Sequence, residues 1–390
     1  MELNELKMRL ASLAVFRDFL KDGVIGSLTK YLTEQNADNY ADFVTTLYRA
    51  NGGYLSAYVR ELCLGSENVY VRIFGKEGSV PKHIAEATEH ELETLQSVCD
   101  LTPETLGAPL GSAGFLPGFV SESTDLAGDF ASRAATVGKC GYGIYAKYRM
   151  FYLDAQSTII PVHSPDPTRL ASLVDYEREQ KIILDNTRAL LEGKPAANIL
   201  LTGDAGTGKS STVKAVVNEL YGEGLRIIEV RKDQLCSIAG LLDELSENPL
   251  KFILFIDDLS FQRDDDNYSA LKAVLEGSVS ARSQNVVIYA TSNRRHIVKE
   301  KFSDREGDDI HRNDTMQEMV SLSERFGIHV TFKRPDKQTY LDIVHHLASE
   351  AKINIAQDEL ELLAEQYALG RGGRSARAAK QFVDGLLARE

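Results

Sequence analysis

A stretch of the form G-x-x-x-x-G-K-[ST] constrains the fold of this chain more than any other feature. It runs from Gly203 to Ser210 and reads Gly-Asp-Ala-Gly-Thr-Gly-Lys-Ser. An apolar run at 198–202 precedes it and predicts a strand, and a helix-forming run follows from Ser211. A strand, a glycine-rich loop and a helix form the context in which this motif binds phosphate. The setting therefore predicts an α/β nucleotide-binding domain.

The residue types in the loop explain how it would hold a nucleotide. Its glycines let backbone N–H groups close around phosphate oxygens, and the helix N-terminus adds the positive end of a dipole. Lys209 is expected to reach the β- and γ-phosphates, and Ser210 to hold magnesium. A plain glycine turn before a helix gives no reason for these two residues at this spacing. The predicted nucleotide-binding residues are Gly203, Asp204, Ala205, Gly206, Thr207, Gly208, Lys209, Ser210 and Ser211.

Length and composition narrow the class of protein. A chain of 390 residues is long enough for two or three domains. The net charge of −13 argues against a broad basic surface for duplex DNA, while leaving room for a local basic groove. The start of the chain lacks signal-peptide features, and no apolar run reaches the ~20 residues that a membrane span needs. We therefore expect a cytoplasmic protein with reduced, unpaired thiols at Cys63, Cys99, Cys140 and Cys236.

Four segments are predicted along the chain. Leucines at helical spacing predict a mainly helical N-terminal domain over residues 1–140, which would determine the partner or substrate. Prolines and glycines predict a linker over 141–168. Residues 169–334 form the predicted large α/β subdomain, and residues 335–390 a helical lid. Within the first segment, Val69–Phe74 fits either a strand or a buried helical turn.

The large subdomain contains apolar runs that alternate with helical stretches. Short apolar strands separated by helices predict a parallel sheet covered on both faces. The five predicted strands are 198–202, 226–230, 252–256, 286–290 and 328–332.

The third predicted strand ends in two acidic residues, Asp257 and Asp258. Ligands gather at the carboxyl edge of open α/β sheets, and magnesium prefers oxygen ligands. Asp257 is therefore predicted to hold magnesium, and Asp258 to orient or deprotonate an attacking water. A strand that merely ends in acids before a loop is the alternative, which the upstream phosphate loop disfavours.

The fourth predicted strand ends in a polar sequence that includes Asn293, Arg294 and Arg295. Asn293 is predicted to contact the attacking water or the γ-phosphate beside the two acids. The two arginines fit equally well a position against a neighbouring subunit or one in solvent.

Arginines also occur before the fifth strand and in the predicted lid. Arg325 is interpreted either as a residue that acts on the nucleotide of a neighbouring subunit or as an arginine paired with Glu324 or another acid at a helix end. In the lid, three arginines lie near a helix start, where a cation opposes the helix dipole and calls for an anionic partner. Phosphate and a carboxylate fit that role equally for Arg371, Arg374 and Arg377.

Together these motifs resemble those of the AAA+ ATPases, and more closely a bacterial AAA+ ATP-binding family of unknown function, the DUF eight-one-five family. The similarity covers residues ~145–390 and excludes the N-terminal part. It is carried by Asn186–Thr187, Gly203–Ser211, Phe255–Phe261, Leu271–Gly277, Tyr289–His296, Leu322–Gly327 and Ser375–Phe382.

The resemblance implies a fold, a set of cofactors and a role for each site residue. The implied sheet order is 5-1-4-3-2 with a helical lid, and the implied cofactors are ATP and Mg²⁺. A ring or spiral homo-oligomer would place ATP at subunit interfaces, with six subunits as the expected number. Asn293 would be the first sensor residue, Arg325 an arginine finger, and Arg377 the second sensor residue. Lys209, Ser210 and Asp257 would bind phosphate and magnesium.

Two positions depart from the family pattern. AAA+ strands of this type usually end in Asp-Glu, whereas Asp258 occupies the Glu position here. Family members carry an acid after the Phe of Asp-Asp-Leu-Ser-Phe, where this chain has Gln262. Both changes would be compatible with slow hydrolysis.

Three functions follow from these features. The first is an ATPase that remodels or loads a protein or nucleic-acid complex, without membrane association. The second is an ATP-controlled switch or scaffold with little turnover. The third, a P-loop kinase of a small molecule, is disfavoured by the sensor and finger motifs. A protein-threading motor is also disfavoured, because residues 231–240 contain no aromatic side chain.

Overall fold

The computed structural model describes residues 2–111, 114–174, 176–259, 266–276, 284–293 and 323–388. The chain forms two compact units, residues 1–147 and 148–390. The division falls inside the segment for which the sequence predicts a linker.

The second unit is built on a sheet of seven strands, six of which run parallel. The strands are β1 (Met150–Leu153), β2 (Ile159–Pro161), β3 (Ile199–Gly203), β4 (Leu225–Glu229), β5 (Lys251–Ile256), β6 (Val286–Ser292) and β7 (Ile328–Phe332). Their order across the sheet is β2-β1-β4-β5-β6-β3-β7. The five predicted strands are β3 to β7, and among them the order is 5-1-4-3-2, as the resemblance implies. The predicted fold class is therefore confirmed.

The prediction of a linker over residues 141–168 is wrong in part, because this segment contains β1 and β2. β1 pairs in parallel with β4 and buries Met150, Phe151 and Leu153. β2 folds back antiparallel onto β1 and ends the sheet at Pro161. Proline lacks the N–H that a central strand must donate, but an edge strand tolerates it. The prolines that suggest a linker therefore mark the edge of an extended sheet.

Helices cover the sheet and form the lid. In the second unit they are α11 (Glu177–Leu191), α12 (Lys209–Leu220), α13 (Ile238–Ser246), α14 (Asp266–Glu276), α15 (Lys337–Glu350), α16 (Gln357–Gly370) and α17 (Ala376–Leu387), with 3₁₀ turns at Leu170–Ser172, Tyr221–Glu223 and Lys232–Ser237. The last three α-helices share a hydrophobic core of their own. That core accounts for a helical subdomain after Pro335.

A buried polar network joins α11 to the middle of the sheet. The Tyr289 hydroxyl shares a hydrogen bond of 2.8 Å with Thr187 Oγ1 and accepts one of 3.0 Å from Asn186 Nδ2. Asn186 also bonds the backbone N–H and C=O of Ala197, just before β3. Burial raises the pKa of Tyr289 to about 12, so its hydroxyl keeps its proton. The network fixes α11 relative to the two strands that lead into the predicted site.

The first unit is helical, as the leucine spacing predicts. Its helices are α1 (Leu3–Ala11), α2 (Gly23–Thr33), α3 (Ala37–Asn51), α4 (Leu55–Gly65), α5 (Val69–Glu77), α6 (Lys82–Cys99), α7 (Pro103–Gly107), α8 (Leu126–Ala135), α9 (Val137–Cys140) and α10 (Ile144–Lys147), with 3₁₀ turns at Arg17–Lys21 and Ala108–Leu110. The ambiguous run Val69–Phe74 is helical. Asn68 caps the α5 N-terminus by accepting from the Val71 N–H, and a cap of this kind favours a helix over a strand.

A buried carboxylate holds the turn after α1. Glu91 on α6 accepts hydrogen bonds from the backbone N–H groups of Ala14 (2.7 Å), Val15 (3.0 Å) and Phe16 (2.9 Å). Its side chain is buried, and Phe16 lies in the hydrophobic core of the unit. Hydrogen bonds from N–H groups to a carboxylate are among the stronger ones in proteins. Glu91 therefore fixes a turn that has no regular backbone pairing of its own.

We predict that Glu91→Gln loosens this turn. The glutamine amide has one acceptor oxygen where the carboxylate has two, and its NH₂ group would face backbone donors. The expected cost is roughly 1–3 kcal/mol. Hydrogen exchange followed by mass spectrometry should show faster exchange in peptides that cover residues 10–20. Glu93→Gln, on the exposed side of the same helix, is the matched control and should leave this exchange unchanged. Equal exchange in both variants would contradict the assignment.

Candidate nucleotide-binding site

The predicted site residues come together at the carboxyl edge of the sheet, where three neighbouring strands end. β3 leads into the glycine-rich loop, β5 ends before Asp257, and β6 ends just before Asn293. β6 lies between β5 and β3 in the sheet, so all three ends meet. The start of α17 in the lid approaches the same loop.

At two positions of the loop, both the backbone angle and the available space require glycine. Gly203 has a φ of 144°, and a Cβ atom there would lie 2.1 Å from the backbone oxygen of Phe332 on β7. Gly206 has a φ of 80°, and a Cβ there would lie 2.9 Å from the Cβ of Arg377. Side chains at these positions would separate the loop from β7 and from the lid. Ala205, Thr207 and Gly208 complete the turn, and α12 begins directly after it, with Ser211 in its first turn.

The ammonium group of Lys209 lies at the centre of the site. Its Nζ donates to the backbone oxygens of Gly203 and Asp204, each at 2.8 Å, and to Asn293 Oδ1 at 3.0 Å. Burial lowers the pKa of Lys209, whereas the carboxylates of Asp257, Asp204 and Asp258 oppose this shift. A cation held among oxygen acceptors is suited to bind phosphate, whose oxygens can replace those acceptors.

Ser210 and Asp257 form the predicted magnesium site. Ser210 Oγ donates to Asp257 Oδ1 at 2.7 Å, so the first helical turn and the end of β5 are in contact. Hydroxyl and carboxylate oxygens are hard ligands of the kind that Mg²⁺ prefers. The two residues therefore fit a magnesium ion that is shared with a phosphate.

Thr291 is a site residue that the sequence analysis does not assign. Its hydroxyl donates to Asp257 Oδ1 at 2.5 Å and accepts from the Asp258 N–H at 2.9 Å, and the side chain is buried. Asp258 has a φ of 52°, in the left-handed region that non-glycine residues rarely adopt. The Thr291 hydroxyl thus holds both acids in place. The signal in the sequence is that Thr291 lies two residues before Asn293, in the polar sequence that follows the same predicted strand.

Asp258 and Asn293 are also connected. Asn293 Nδ2 donates to Asp258 Oδ1 at 2.8 Å, while Asn293 Oδ1 accepts from Lys209. The asparagine amide therefore links the phosphate-binding lysine to the acid that is predicted to handle water. This chain of polar contacts spans the three strand ends.

The lid brings Arg377 to the loop. Its backbone N–H donates to Gly206 O at 3.2 Å, and Ser375 caps α17 by accepting from the Ala378 N–H. The other two arginines bind within the lid: Arg374 makes a two-bond ion pair with Glu365, and Arg371 lies over the ring of Tyr367. Within the described ranges, the Arg377 guanidinium has no ion pair, which leaves it able to bind an anion beside the loop.

A second arginine contacts the loop from the connection to the lid. Arg334 Nε lies 2.9 Å from Asp204 Oδ2, and its side chain also approaches Gly373 in the lid. Both side chains are more than half exposed, so the ion pair itself contributes little stability. Its position is informative nonetheless, because Arg334 contacts the loop and lies near Gly373, between the last two lid helices.

Arg325 does not join these residues. It precedes β7, whose last residue, Phe332, pairs with Gly203 at the start of the loop. Five strand residues separate the two sheet edges by about 16 Å. Arg325 therefore lies at the amino edge, too far away to reach the phosphate loop of its own chain. There it forms an ion pair with Glu276, the last residue of α14.

Some predicted features lie outside the described residues. They are Arg294, Arg295, Gln262 and the polar segment 301–320. No helix in the described part of the chain is both long and apolar enough to cross a membrane.

Comparison with solved structures finds similarity at low identity. The RuvB Holliday junction branch migration motor of Thermotoga maritima is 18% identical with a TM-score of 0.39, over 56% of this chain and 63% of that chain. This chain thus spans less than two thirds of the RuvB chain. A chain of the E. coli MS115-1 HORMA:CdnC:Trip13 complex is 15% identical with a TM-score of 0.38, over 57% of this chain and 92% of that chain. No curated protein matches.

A family model described as "Protein of unknown function (DUF815)" matches residues 146–390. The match covers more than half of the chain and includes the loop, the sheet and the lid. The strand order 5-1-4-3-2, the glycine-rich loop and the helical lid are those that the resemblance to AAA+ ATPases implies. The chain belongs to the DUF815 family.

Proposed function

We propose that this protein binds and hydrolyses Mg-ATP at the interfaces of a homo-oligomer and uses the cycle to remodel or load a macromolecular partner. The observation that carries the proposal is the continuous set of polar contacts at one sheet edge. One series of contacts runs from Lys209 through Asn293 to Asp258. In another, Ser210 and Thr291 both donate to Asp257. Each residue type suits one task in phosphoryl transfer.

The loop and α12 bind the phosphates. Backbone N–H groups of residues 203–208 and the N-terminus of α12 would bind phosphate oxygens together with the Lys209 ammonium. Phosphate oxygens would replace the carbonyl oxygens and the Asn293 amide oxygen as acceptors for Lys209. Arg377 would reach the phosphates from the lid, which would couple nucleotide binding to the position of the three lid helices.

Ser210 and Asp257 would hold magnesium, which neutralises developing charge on the phosphate oxygens when bound. Asp258 would orient or deprotonate the attacking water. Asn293 would hold the Asp258 carboxylate in place beside the γ-phosphate. The Asp258 carboxylate is one methylene shorter than the glutamate that is usual here.

An arginine from a neighbouring subunit would complete the site. Arg325 lies about 16 Å or more from its own loop, at the opposite sheet edge, so action on its own nucleotide is disfavoured. In a ring or spiral, the amino edge of one subunit can face the carboxyl edge of the next. This arrangement supports Arg325 as a finger that acts in trans. Six subunits remain the number that the family resemblance implies.

The helical first unit and the buried cysteines support proposals about the partner and the cellular compartment. The helical first unit, which the family model leaves largely uncovered, is the part proposed to contact a protein or nucleic-acid complex. Cys63 and Cys99 are buried free thiols, and burial raises the pKa of both, which makes them unreactive. Buried, unpaired thiols suit the reducing cytoplasm.

A second function, an ATP-controlled switch with little turnover, is favoured by one observation. The Asp258 carboxylate accepts a hydrogen bond from Asn293 and stands on a left-handed backbone, so its freedom to reach a water is restricted. Such a protein would bind ATP tightly and present its helical unit to a partner in the bound state. Turnover of many ATP molecules per second would exclude this alternative.

Lys209→Ala tests the nucleotide site. We expect calorimetry with Mg-ATP to show binding to the natural chain and roughly 10–100-fold weaker binding to the variant, because a charged donor to phosphate is lost. Lys214→Ala is the matched control, since Lys214 lies on the same helix and pairs with Glu229. Unchanged ATP affinity in the Lys209→Ala variant, with both variants folded, would contradict the site.

Thr291→Val tests the placement of the acids. The variant keeps the shape of the side chain but removes the hydroxyl that bonds Asp257 and Asp258. We expect kcat for ATP hydrolysis to fall roughly tenfold or more, as the loss of a hydrogen bond to a charged group implies, while the nucleotide Kd changes little. Thr291→Ser keeps the hydroxyl and should recover most of the rate. A Thr291→Ser variant as slow as Thr291→Val would indicate a packing role instead.

A further inference from the structure

We propose that Glu276 is a positioning residue that directs Arg325 towards the nucleotide of the neighbouring subunit. The proposal rests on the function proposed above, in which Arg325 acts in trans. It assigns a task to an acid that lies at the sheet edge opposite the nucleotide site of its own chain. Three features carry it: an anchored backbone at Arg325, a long side chain that needs a partner, and the route of α14.

The backbone around Arg325 is fixed by its neighbours. Phe326 is buried in the fold, and its N–H donates to Ser323 O at 3.0 Å. A Cβ atom at Gly327 would lie 3.0 Å from the Cβ of Ala197, so the turn sits close against the chain two residues before β3. β7 begins at the next residue and pairs with β3. The Cα of Arg325 therefore has a defined place at the amino edge.

An anchored Cα does not by itself aim an arginine side chain. Arginine carries about 2 kcal/mol of rotamer entropy, which must be lost when the guanidinium reaches a fixed position. The Glu276 carboxylate pairs with the Nη2 atom of Arg325, and the arginine side chain is 24% exposed. The ion pair thus selects a conformation before any neighbour arrives. Preorganised groups are more effective in catalysis, because they need no reorganisation during the reaction.

The route of α14 explains how Glu276 reaches this place. The chain leaves β5 at the carboxyl edge, passes through α14 and returns to the amino edge, where β6 begins. Leu271 and Leu275 are buried and hold the helix against the fold. Glu276 is therefore held on a rigid element, and it follows a buried leucine that fixes its direction.

The pairing is compatible with phosphate binding. A guanidinium has five N–H donors in a rigid fork, so one carboxylate oxygen and a phosphate can be bound together. Glu276 would then act through Arg325 without touching the nucleotide.

ATP turnover by single and double variants tests the assignment. Arg325→Ala should lower kcat by roughly 10³-fold or more, as loss of an arginine finger does. Glu276→Ala should lower kcat about tenfold with little change in KM, equivalent to about 1.4 kcal/mol. The double variant should be no slower than Arg325→Ala alone, because Glu276 acts only through that arginine. Additive losses in the double variant would contradict the proposal, and so would faster turnover of Glu276→Ala, which would make the acid a brake.

The matched control is Glu324→Ala, which removes an exposed acid next to Arg325 and should leave kcat unchanged. Glu276→Gln serves if the alanine variant does not fold. It keeps an acceptor but loses the charge, and a kcat between those of the natural chain and Arg325→Ala is expected. If Glu276→Gln has the natural rate while Arg325→Ala has no activity, the role of Glu276 is overturned, but the role of Arg325 is not. Natural activity in Arg325→Ala would instead overturn action in trans, and with it the proposed interface site.

Mixing of subunits separates an effect on the neighbour from an effect within the chain. Lys209→Ala subunits lack a working phosphate loop but carry intact Glu276 and Arg325. When they are mixed with Glu276→Ala subunits, they should donate a directed arginine to the intact phosphate loops of those subunits. The ATP turnover per intact loop should then rise towards the natural value. The same rescue is expected for Arg325→Ala subunits. Rescue of Arg325→Ala without rescue of Glu276→Ala would show that Glu276 acts inside its own subunit, contrary to the proposal.

Discussion

The carboxylate of Asp257 is the group on which the geometry of the site depends. One of its oxygens accepts hydrogen bonds from the hydroxyls of Ser210 and Thr291, which come from different strand–helix connections. The same threonine hydroxyl accepts from the Asp258 N–H and supports its left-handed backbone. The loop, β5 and β6 are thereby tied together at one point. A carboxylate oxygen held by two hydroxyl donors has a defined orientation, which the proposed metal site would require.

This arrangement also separates two functions along the same strands. The residues proposed for phosphate and water chemistry lie at the carboxyl edge, whereas Arg325 and Glu276 lie at the amino edge. The sheet core between them is buried, and rigid strands set the distance between the edges. A single subunit therefore cannot bring both sets of residues to one nucleotide. Under the proposed function, a second copy of the chain would supply the arginine.

The sequence predicts most of the fold because the relevant signals are local. The five apolar runs, the glycine loop and the helical lid each follow from residue type and spacing. β1 and β2 are missed because prolines and short length conceal an edge hairpin. The role of Thr291 depends on β5 and β6 being neighbours, which local pattern does not reveal. The pair Arg325–Glu276 joins residues 49 positions apart on different elements, and only the tertiary structure brings them together.

The central claim is that ATP lies between the Lys209 edge of one subunit and the Arg325 edge of the next. A structure of the assembled protein with magnesium and a slowly hydrolysed ATP analogue measures this directly. The account predicts the γ-phosphate within hydrogen-bond distance of Lys209 from one subunit and of Arg325 from its neighbour, with Glu276 still paired to that arginine. A nucleotide bound by a single subunit, with every Arg325 turned away from it, would contradict the account.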